Sequence, residues 1–259
     1  LNPMREKFVL IIKIFIDFPF LKKTKVNSFD KIALLFKNNS YFEPSFSSIK
    51  NQNQFCMSET THQSGKHPKA LYILFLTEMW ERFAYYLMVG ILLLYLIDSQ
   101  TGGKGLSQKM GADIVGSFIA LVYLTPFIGG LIADRYLGYI KSIFFGGSLM
   151  ALGYFGLSFP GNTALYISLG LIIVGNGFFK PNISTLLGNI YNREDLKPLK
   201  DNAYNIFYMG INVGALVCNF VAAYLRNQYG WGYAFAAAGV GLVIGLITLA
   251  SQLKHVKEG

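Results

Sequence analysis

The sequence is poor in charge, cysteine and histidine. Only 14% of its 259 residues are charged and 53% are hydrophobic, whereas soluble globular chains carry about 25% charged residues. We therefore expect lipid to surround much of the chain. The two cysteines form neither a CxxC pair nor a disulfide framework. The three histidines lie outside the apolar runs, so we predict no metal site and no cofactor. These histidines are His62, His67 and His255.

The net charge of +9 invites a comparison with nucleic-acid-binding proteins. Residues 1–56 hold nine Lys/Arg against four Asp/Glu, and they supply most of this excess. The remaining charges lie mainly in the short gaps between apolar runs, and the sequence has no long basic tract. We therefore predict that nucleic acid is not a partner.

Residues 1–56 differ in composition from the rest of the chain. Their one apolar stretch, residues 8–20, is about 13 residues long and contains Lys13, Asp17 and Pro19. A membrane-spanning helix needs about 20 apolar residues, so this stretch is too short. Met57 begins a polar segment that is typical of a protein start. We expect residues 1–56 to be a non-native upstream or disordered extension, and residues 57–69 to be a cytoplasmic N-terminal flank.

From residue 70 onward, apolar runs of spanning length follow one another with short polar breaks. In lipid the backbone must satisfy its own hydrogen bonds, so runs of this length are helices. The sequence thus predicts an all-α membrane protein with a six-helix transmembrane bundle over residues 70–253. Residues 254–259 are expected to begin a cytoplasmic central loop. The six predicted spans are residues 70–97, 114–133, 142–158, 164–187, 203–225 and 234–253.

The distribution of Lys and Arg between alternate loops predicts the orientation of the bundle. Cytoplasmic loops carry the excess of these residues. Nine of them flank one side of the predicted spans, and three flank the other side. This places both ends of the bundle in the cytoplasm, which agrees with an even number of spans. The nine are Lys66, Lys69, Arg135, Lys141, Arg193, Lys197, Lys200, Lys254 and Lys257, and the three are Lys104, Lys109 and Arg226.

Four ionisable residues lie inside the apolar runs: Glu78, Glu81, Arg82 and Lys180. Each such charge costs about 2.5–3.5 kcal/mol at the bilayer centre on insertion scales. The first three share one helical face by their spacing, and the four charges sum to zero. A purely structural Glu78–Arg82 pair would leave the other two charges unexplained. We interpret the set as carboxylates whose protonation is controlled by a movable cationic partner.

Four ordered motifs carry a resemblance to a known family. EMWERFAYY at residues 78–86 resembles the ExxERFxYY motif of the proton-dependent oligopeptide transporters, which belong to the major facilitator superfamily. GGLIADRYLG at 129–138 resembles the signature of this family between its second and third helices. GFFKPN at 177–182 and FYMGINVG at 207–214 resemble its motifs in the fourth and fifth helices.

The resemblance implies a function, which is proton-coupled symport of di- and tripeptides across the cell (inner) membrane. It implies a proton-coupling set of Glu78, Glu81, Arg82 and Lys180, with protons as the coupling ion. The implied peptide site comprises Arg82, Tyr85, Tyr86, Tyr123, Lys180 and Asn212. The implied cytoplasmic gate contains Asp134 and Arg135.

The length of the chain departs from the family pattern. Members have two six-helix halves with the substrate site between them, so we expect this chain to be the N-terminal half, truncated and inactive without the other. Val89 also stands in a region where many members carry a cation. Two alternatives stay open: a carrier of another solute, and a non-transporting six-helix scaffold. An enzyme is not expected, since the buried charges offer no nucleophile–base pair.

Overall fold

The structure is a computed structural model, and it describes residues 66–257. The predicted extension at 1–56, most of the flank at 57–69 and the last two residues lie outside the described residues. Six long helices account for most of the described chain. They are α1 (Lys69–Ile97), α2 (Gln108–Ile132), α3 (Tyr139–Gly156), α4 (Asn162–Ile190), α5 (Lys200–Tyr229) and α6 (Trp231–Ser251), and the short α7 (Leu253–Lys257) follows them.

The all-α membrane fold predicted from the apolar runs is confirmed, and all six runs are helical. Five of the helical segments are long and apolar enough to cross a membrane. The exception is α3, whose 18 residues match the predicted third run but do not reach the same apolar content. Its role as a span stays a prediction. Leu253–Lys257 forms a short helix within the segment where we expected a loop to begin.

The first three helices pack in the same pattern as the last three. The first helix packs on α5 and α6, while α4 packs on α2 and α3, and α3 also contacts α6. If α1 is exchanged with α4, α2 with α5 and α3 with α6, the same pairs of helices remain in contact. Such a pattern is typical of the three-helix inverted repeats inside each half of a major facilitator fold. The pattern places α1 and α4, the two helices with charges inside their apolar runs, at equivalent positions.

Glycines let α2 and α4 approach closely, as is usual between membrane helices. A β-carbon on Gly129 of α2 would overlap the backbone of Gly177 in α4 and would lie 2.9 Å from the Phe178 nitrogen. Backbone atoms cannot move aside as a flexible side chain can. The α2–α4 contact therefore requires glycine at residue 129.

We expect Gly129→Ala to destabilise the protein by about 1–3 kcal/mol, because overpacking forces the two helices apart. Thermal unfolding of the purified protein in detergent would measure the loss. Gly116→Ala in the same helix is the matched control, since a β-carbon there meets nothing within 4 Å. Equal melting temperatures for the two variants would contradict the close-contact account.

A network at one end of the bundle links α1 to α6. Asp98, at the carboxyl end of α1, accepts a hydrogen bond from the Trp231 indole nitrogen at 2.8 Å. It also accepts from the Thr101 hydroxyl and from backbone N–H groups of residues 100, 101 and 103. The Thr101 hydroxyl, and then the Trp231 N–H, hold the pKa of the Asp98 carboxyl well below its usual range. The network therefore fixes the turn that follows α1.

This lowered pKa predicts the pH range in which the network is lost. The stabilisation from a depressed carboxyl pKa is fully present above the unfolded value of about 3.9 and disappears as pH falls through the folded value. We expect Trp231 fluorescence, recorded in a Trp80→Phe background, to be constant from neutral pH down to about pH 4. It should change only in stronger acid. A change that begins near neutral pH would contradict this prediction.

A second network, at the end of the bundle away from Asp98, joins the start of α1 to the end of α4 and the start of α5. His67, just before α1, is hydrogen-bonded through Nδ1 to the Tyr191 hydroxyl at 2.7 Å. Its Nε2 is hydrogen-bonded to the Asn202 amide at 3.1 Å. Burial raises the pKa of Tyr191 to about 12, so this phenol stays neutral at physiological pH. His67 thus fixes the start of α1 against the α4–α5 connection.

Candidate functional site

A cluster of three charged side chains lies inside the bundle on α1. Glu78, Glu81 and Arg82 are 3%, 0% and 4% exposed. Arg82 Nε lies 3.2 Å from Glu78 Oε1 and donates a hydrogen bond to Glu81 Oε2. The helical spacing that predicted a shared face is therefore matched by direct contacts. One guanidinium holds two carboxylates.

The hydrogen-bonding capacity of this cluster is not filled. Glu78 Oε2, Glu81 Oε1 and Arg82 Nη2 are buried and have no hydrogen-bond partner among the described residues. Buried charges are costly unless they are paired and hydrogen-bonded on all sides. Two carboxylates and one guanidinium also leave a net charge of −1, so the cluster has capacity for a further proton, cation or donor.

Lys180 on α4 supplies a fourth charge near this cluster. It interacts electrostatically with Arg82 and with both carboxylates. None of the ion pairs described in residues 66–256 includes Lys180, and its Nζ lies 5.1 Å from the centre of the Tyr123 ring. In this conformation Arg82 holds the two carboxylates, and Lys180 faces the ring of Tyr123. The exchange between the two cations stays a prediction.

Pro181 follows Lys180 inside α4. Proline has no backbone N–H and cannot donate the usual helical hydrogen bond to the carbonyl four residues earlier, here Gly177. That carbonyl lies at the glycine contact with α2. The motif GFFKPN thus combines a close helix contact, a cation and a locally weakened helix within six residues.

The three predicted tyrosines differ in exposure. Tyr85 is buried, and its ring centre lies 5.2 Å from the Arg82 guanidinium carbon. Tyr86 packs edge-to-face on Tyr85 at 5.5 Å and is 36% exposed. Tyr123 is 69% exposed. The cluster therefore continues from the buried carboxylates, through Arg82 and Tyr85, to rings that are accessible from outside this bundle.

Asn212 and the two gate residues lie apart from these contacts. Asn212 is exposed on α5, and no hydrogen bond described in residues 66–256 involves its side chain. Asp134 and Arg135 are exposed in a π-helical segment, Ala133–Leu137, between α2 and α3. Neither takes part in an ion pair described in that same part of the chain. Their proposed roles stay predictions.

Two buried polar residues near this site were not singled out from the sequence. Asn176, one helical turn before Lys180, donates from Nδ2 to the Val122 carbonyl of α2 at 3.1 Å, and its Oδ1 has no partner in the described chain. Tyr154 of α3 is fully buried, and its hydroxyl also lacks a partner there. Asn176 could have been noticed as a polar residue inside an apolar run. No sequence signal distinguishes Tyr154 from a core aromatic.

The chain is similar to known membrane transporters. Residues 140–258 match the family model described as PTR2, POT family. The chain is 43% identical over 190 residues to the uncharacterized transporter YclF of Bacillus subtilis, covering 73% of this chain and 38% of that protein. It is 39% identical over 196 residues to the di-/tripeptide transporter of Lactococcus lactis subsp. lactis, covering 74% and 39% of the two chains.

A solved structure matches the fold. The crystal structure of peptide transporter POT in complex with sulfate superposes with a TM-score of 0.70 at 37% identity, covering 79% of this chain and 42% of that one. The chain spans about two fifths of the length of the curated relatives it matches. The family match over residues 140–258, the relatives and the solved structure therefore all relate this multi-pass membrane protein to the POT family.

Proposed function

We propose that the protein containing this chain couples proton entry to the uptake of di- and tripeptides across the cell (inner) membrane. The observation that carries the proposal is the placement of Arg82 between two buried carboxylates, with Lys180 within electrostatic reach. The family relationship supports it, because relatives of this chain are named di- and tripeptide transporters. Protons are the coupling ion, and no other cofactor is invoked.

The proposed coupling step exchanges an ion pair for a proton. With both carboxylates charged, Arg82 is held by Glu78 and Glu81. A proton on Glu81 removes one of these attractions and frees the guanidinium to bind a carboxylate of the substrate. Lys180 is the second cation that attracts the carboxylates when Arg82 turns away. Each protonation state thus favours a different arrangement, which is what drives a conformational equilibrium.

The proposed peptide site lies on the accessible side of this cluster. A peptide has a negative carboxylate. Lys180 lies against the exposed ring of Tyr123, and Arg82 lies against Tyr85, which packs on Tyr86. We therefore assign the carboxylate end of the substrate to this chain. Tyr85 orients Arg82, and Asn212 offers an amide to the peptide backbone from α5. The groups that hold the amino end belong to a further six-helix bundle.

The apolar faces of α2 and α5 are the proposed contact with that second bundle. Both helices are long and largely unburied in this chain, and both carry large exposed hydrophobic side chains that need lipid or protein around them. Asp134 and Arg135 are proposed to form polar gate contacts with the same partner. The excess of Lys and Arg in alternate loops supports an orientation with the N-terminus in the cytoplasm. The exposed side chains are Leu121, Leu124, Phe127, Ile128 and Leu131 on α2, and Met209, Val213, Leu216, Val217 and Phe220 on α5.

Uptake of labelled dialanine into proteoliposomes tests the proposal. The complete gene product is reconstituted, and uptake is measured with and without an inward proton gradient. Gradient-dependent uptake that unlabelled dipeptides inhibit, and free amino acids and nitrate do not, is the expected result. Inhibition by another solute alone would indicate a different substrate. Folded protein that transports none of these solutes would favour the scaffold alternative.

A further inference from the structure

Tyr154 of α3 has a buried hydroxyl that the proposed coupling step does not use. Its side chain is 0% exposed, and the hydroxyl has no hydrogen-bond partner among the described residues. Phenylalanine would fill the same space without the cost of burying an unpaired polar group. A buried hydroxyl of this kind points to a partner that it acquires in another state of the protein.

The contacts of α3 give the direction of this side chain. Gly146 and Gly153 lie against α4, whereas Gly147 and Phe155 lie against α6. Since each helical residue advances by about 100°, Tyr154 lies between these two directions. It therefore points into the bundle between α4 and α6. The first helix packs on α6 and also contacts α3 and α4.

The contacts of α1 place Glu81 on the side that faces Tyr154. Met79 lies against α5, and Trp80 and Phe83 lie against α6. Because each residue advances by about 100°, Glu81 points away from Met79 and Phe83, and it is 0% exposed. Both side chains are thus directed at the interior shared by α1, α3 and α4. Tyr154 interacts electrostatically with Glu81 first, and then with Arg82 and Tyr85.

Two unpaired atoms therefore face one interior space: the Tyr154 hydroxyl, a donor, and Glu81 Oε1, an acceptor. We propose that Tyr154 is a positioning residue whose hydroxyl donates a hydrogen bond to Glu81 when Arg82 turns away from it. The proposal rests on the proposed function, since it concerns the carboxylate that takes up the proton. The bond forms to an existing lone pair, and no proton is transferred to or from the tyrosine.

The other charged or titratable groups around Glu81 are few. Its own helix contributes Glu78, Arg82 and Tyr85, and α4 contributes Lys180. At this level α5 and α6 contact α1 through glycines, and none of the electrostatic interactions described for Glu81 involves them. Once Arg82 has left, the Tyr154 hydroxyl is the neutral donor that favours the charged carboxylate.

Removal of this donor should move the pH dependence of transport. A hydrogen bond to a charged carboxylate favours the charged form, so its loss lets Glu81 hold its proton at higher pH. In Tyr154→Phe we expect the pH of half-maximal proton-driven dialanine uptake to rise by about one unit, the size of one such bond. The assay uses the complete gene product in proteoliposomes over a range of external pH.

Three further variants make this test specific. Tyr95→Phe also removes a hydroxyl from a mostly buried tyrosine, at the far end of α1, and should leave the midpoint unchanged. Tyr154→Met lacks the hydroxyl but fills the space with a flexible side chain, and should show the same shift as Tyr154→Phe. In a Glu81→Gln background, Tyr154→Phe should not alter the pH profile of peptide exchange.

Each outcome decides between the two proposals. Proton-driven uptake by the natural protein with an unchanged or lowered midpoint in Tyr154→Phe would overturn the role of Tyr154 and leave the proposed function intact. If the natural protein takes up dialanine at the same rate with and without a proton gradient, the proposed function itself is overturned. Failure of both Tyr154 variants to fold, with Tyr95→Phe folded, would assign the hydroxyl to packing and overturn the positioning role.

Discussion

Glu81→Gln is expected to abolish proton-driven accumulation of dipeptide and to leave peptide exchange across the membrane. Glutamine keeps the size of the side chain but cannot bind and release a proton, so the gradient no longer does work on the substrate. A gradient of two pH units supplies about 2.7 kcal/mol per proton, enough for about 100-fold accumulation at one proton per peptide. The ratio of internal to external labelled dialanine measures this directly.

In the Glu81→Gln variant that ratio should stay near unity. Glu194→Gln is the matched control, because Glu194 is an exposed loop carboxylate in a long, weak pair with Lys197. It should accumulate dialanine as the natural protein does. Accumulation by Glu81→Gln at the natural level would show that Glu81 does not carry the coupling proton.

Arg82→Met is expected to produce the largest loss of stability. It leaves Glu78 and Glu81 buried without the guanidinium that holds them. Removing one partner of a buried ion pair typically costs about 3–5 kcal/mol. The loss should shrink in acid, because protonated carboxyl groups no longer need a cationic partner. Thermal unfolding of the purified protein at several pH values measures both effects.

A combined variant separates lost charge pairing from lost packing. Glu78→Gln and Glu81→Gln added to Arg82→Met remove all three charges, and most of the stability should return. Arg193→Met is the surface control, since its pair with Asp195 is exposed and such pairs contribute about 0–1 kcal/mol. An Arg82→Met protein as stable as Arg193→Met would contradict the buried-cluster account.

The helices could be predicted because membrane helices must be long and apolar. The first run was predicted over 70–97 and the helix is Lys69–Ile97. Elsewhere the helices extend beyond the apolar runs, as in Lys200–Tyr229 against a predicted 203–225. The polar ends of helices that pass out of the lipid carry no hydropathy signal. The π-helical segment Ala133–Leu137 was also invisible to a pattern that records only apolar character.

The site could be predicted only where its residues are close in sequence. Spacing within one helix brought Glu78, Glu81 and Arg82 together correctly. Lys180 was singled out as a charge inside an apolar run, but its partnership with the α1 cluster came from the family motif, because spacing does not show which helices meet. Tyr154 escaped prediction for the same reason. Its significance depends on the face that α3 turns toward α1, which only the packing of glycines against α4 and α6 determines.

The most direct test of the central claim is whether dipeptide entry carries protons. The complete gene product is reconstituted into liposomes that enclose a pH-sensitive dye, with equal pH on both sides and a membrane potential negative inside. Addition of external dialanine should acidify the lumen for the natural protein and leave it unchanged for Glu81→Gln. Entry of labelled dialanine into the natural proteoliposomes without acidification would contradict proton-coupled symport.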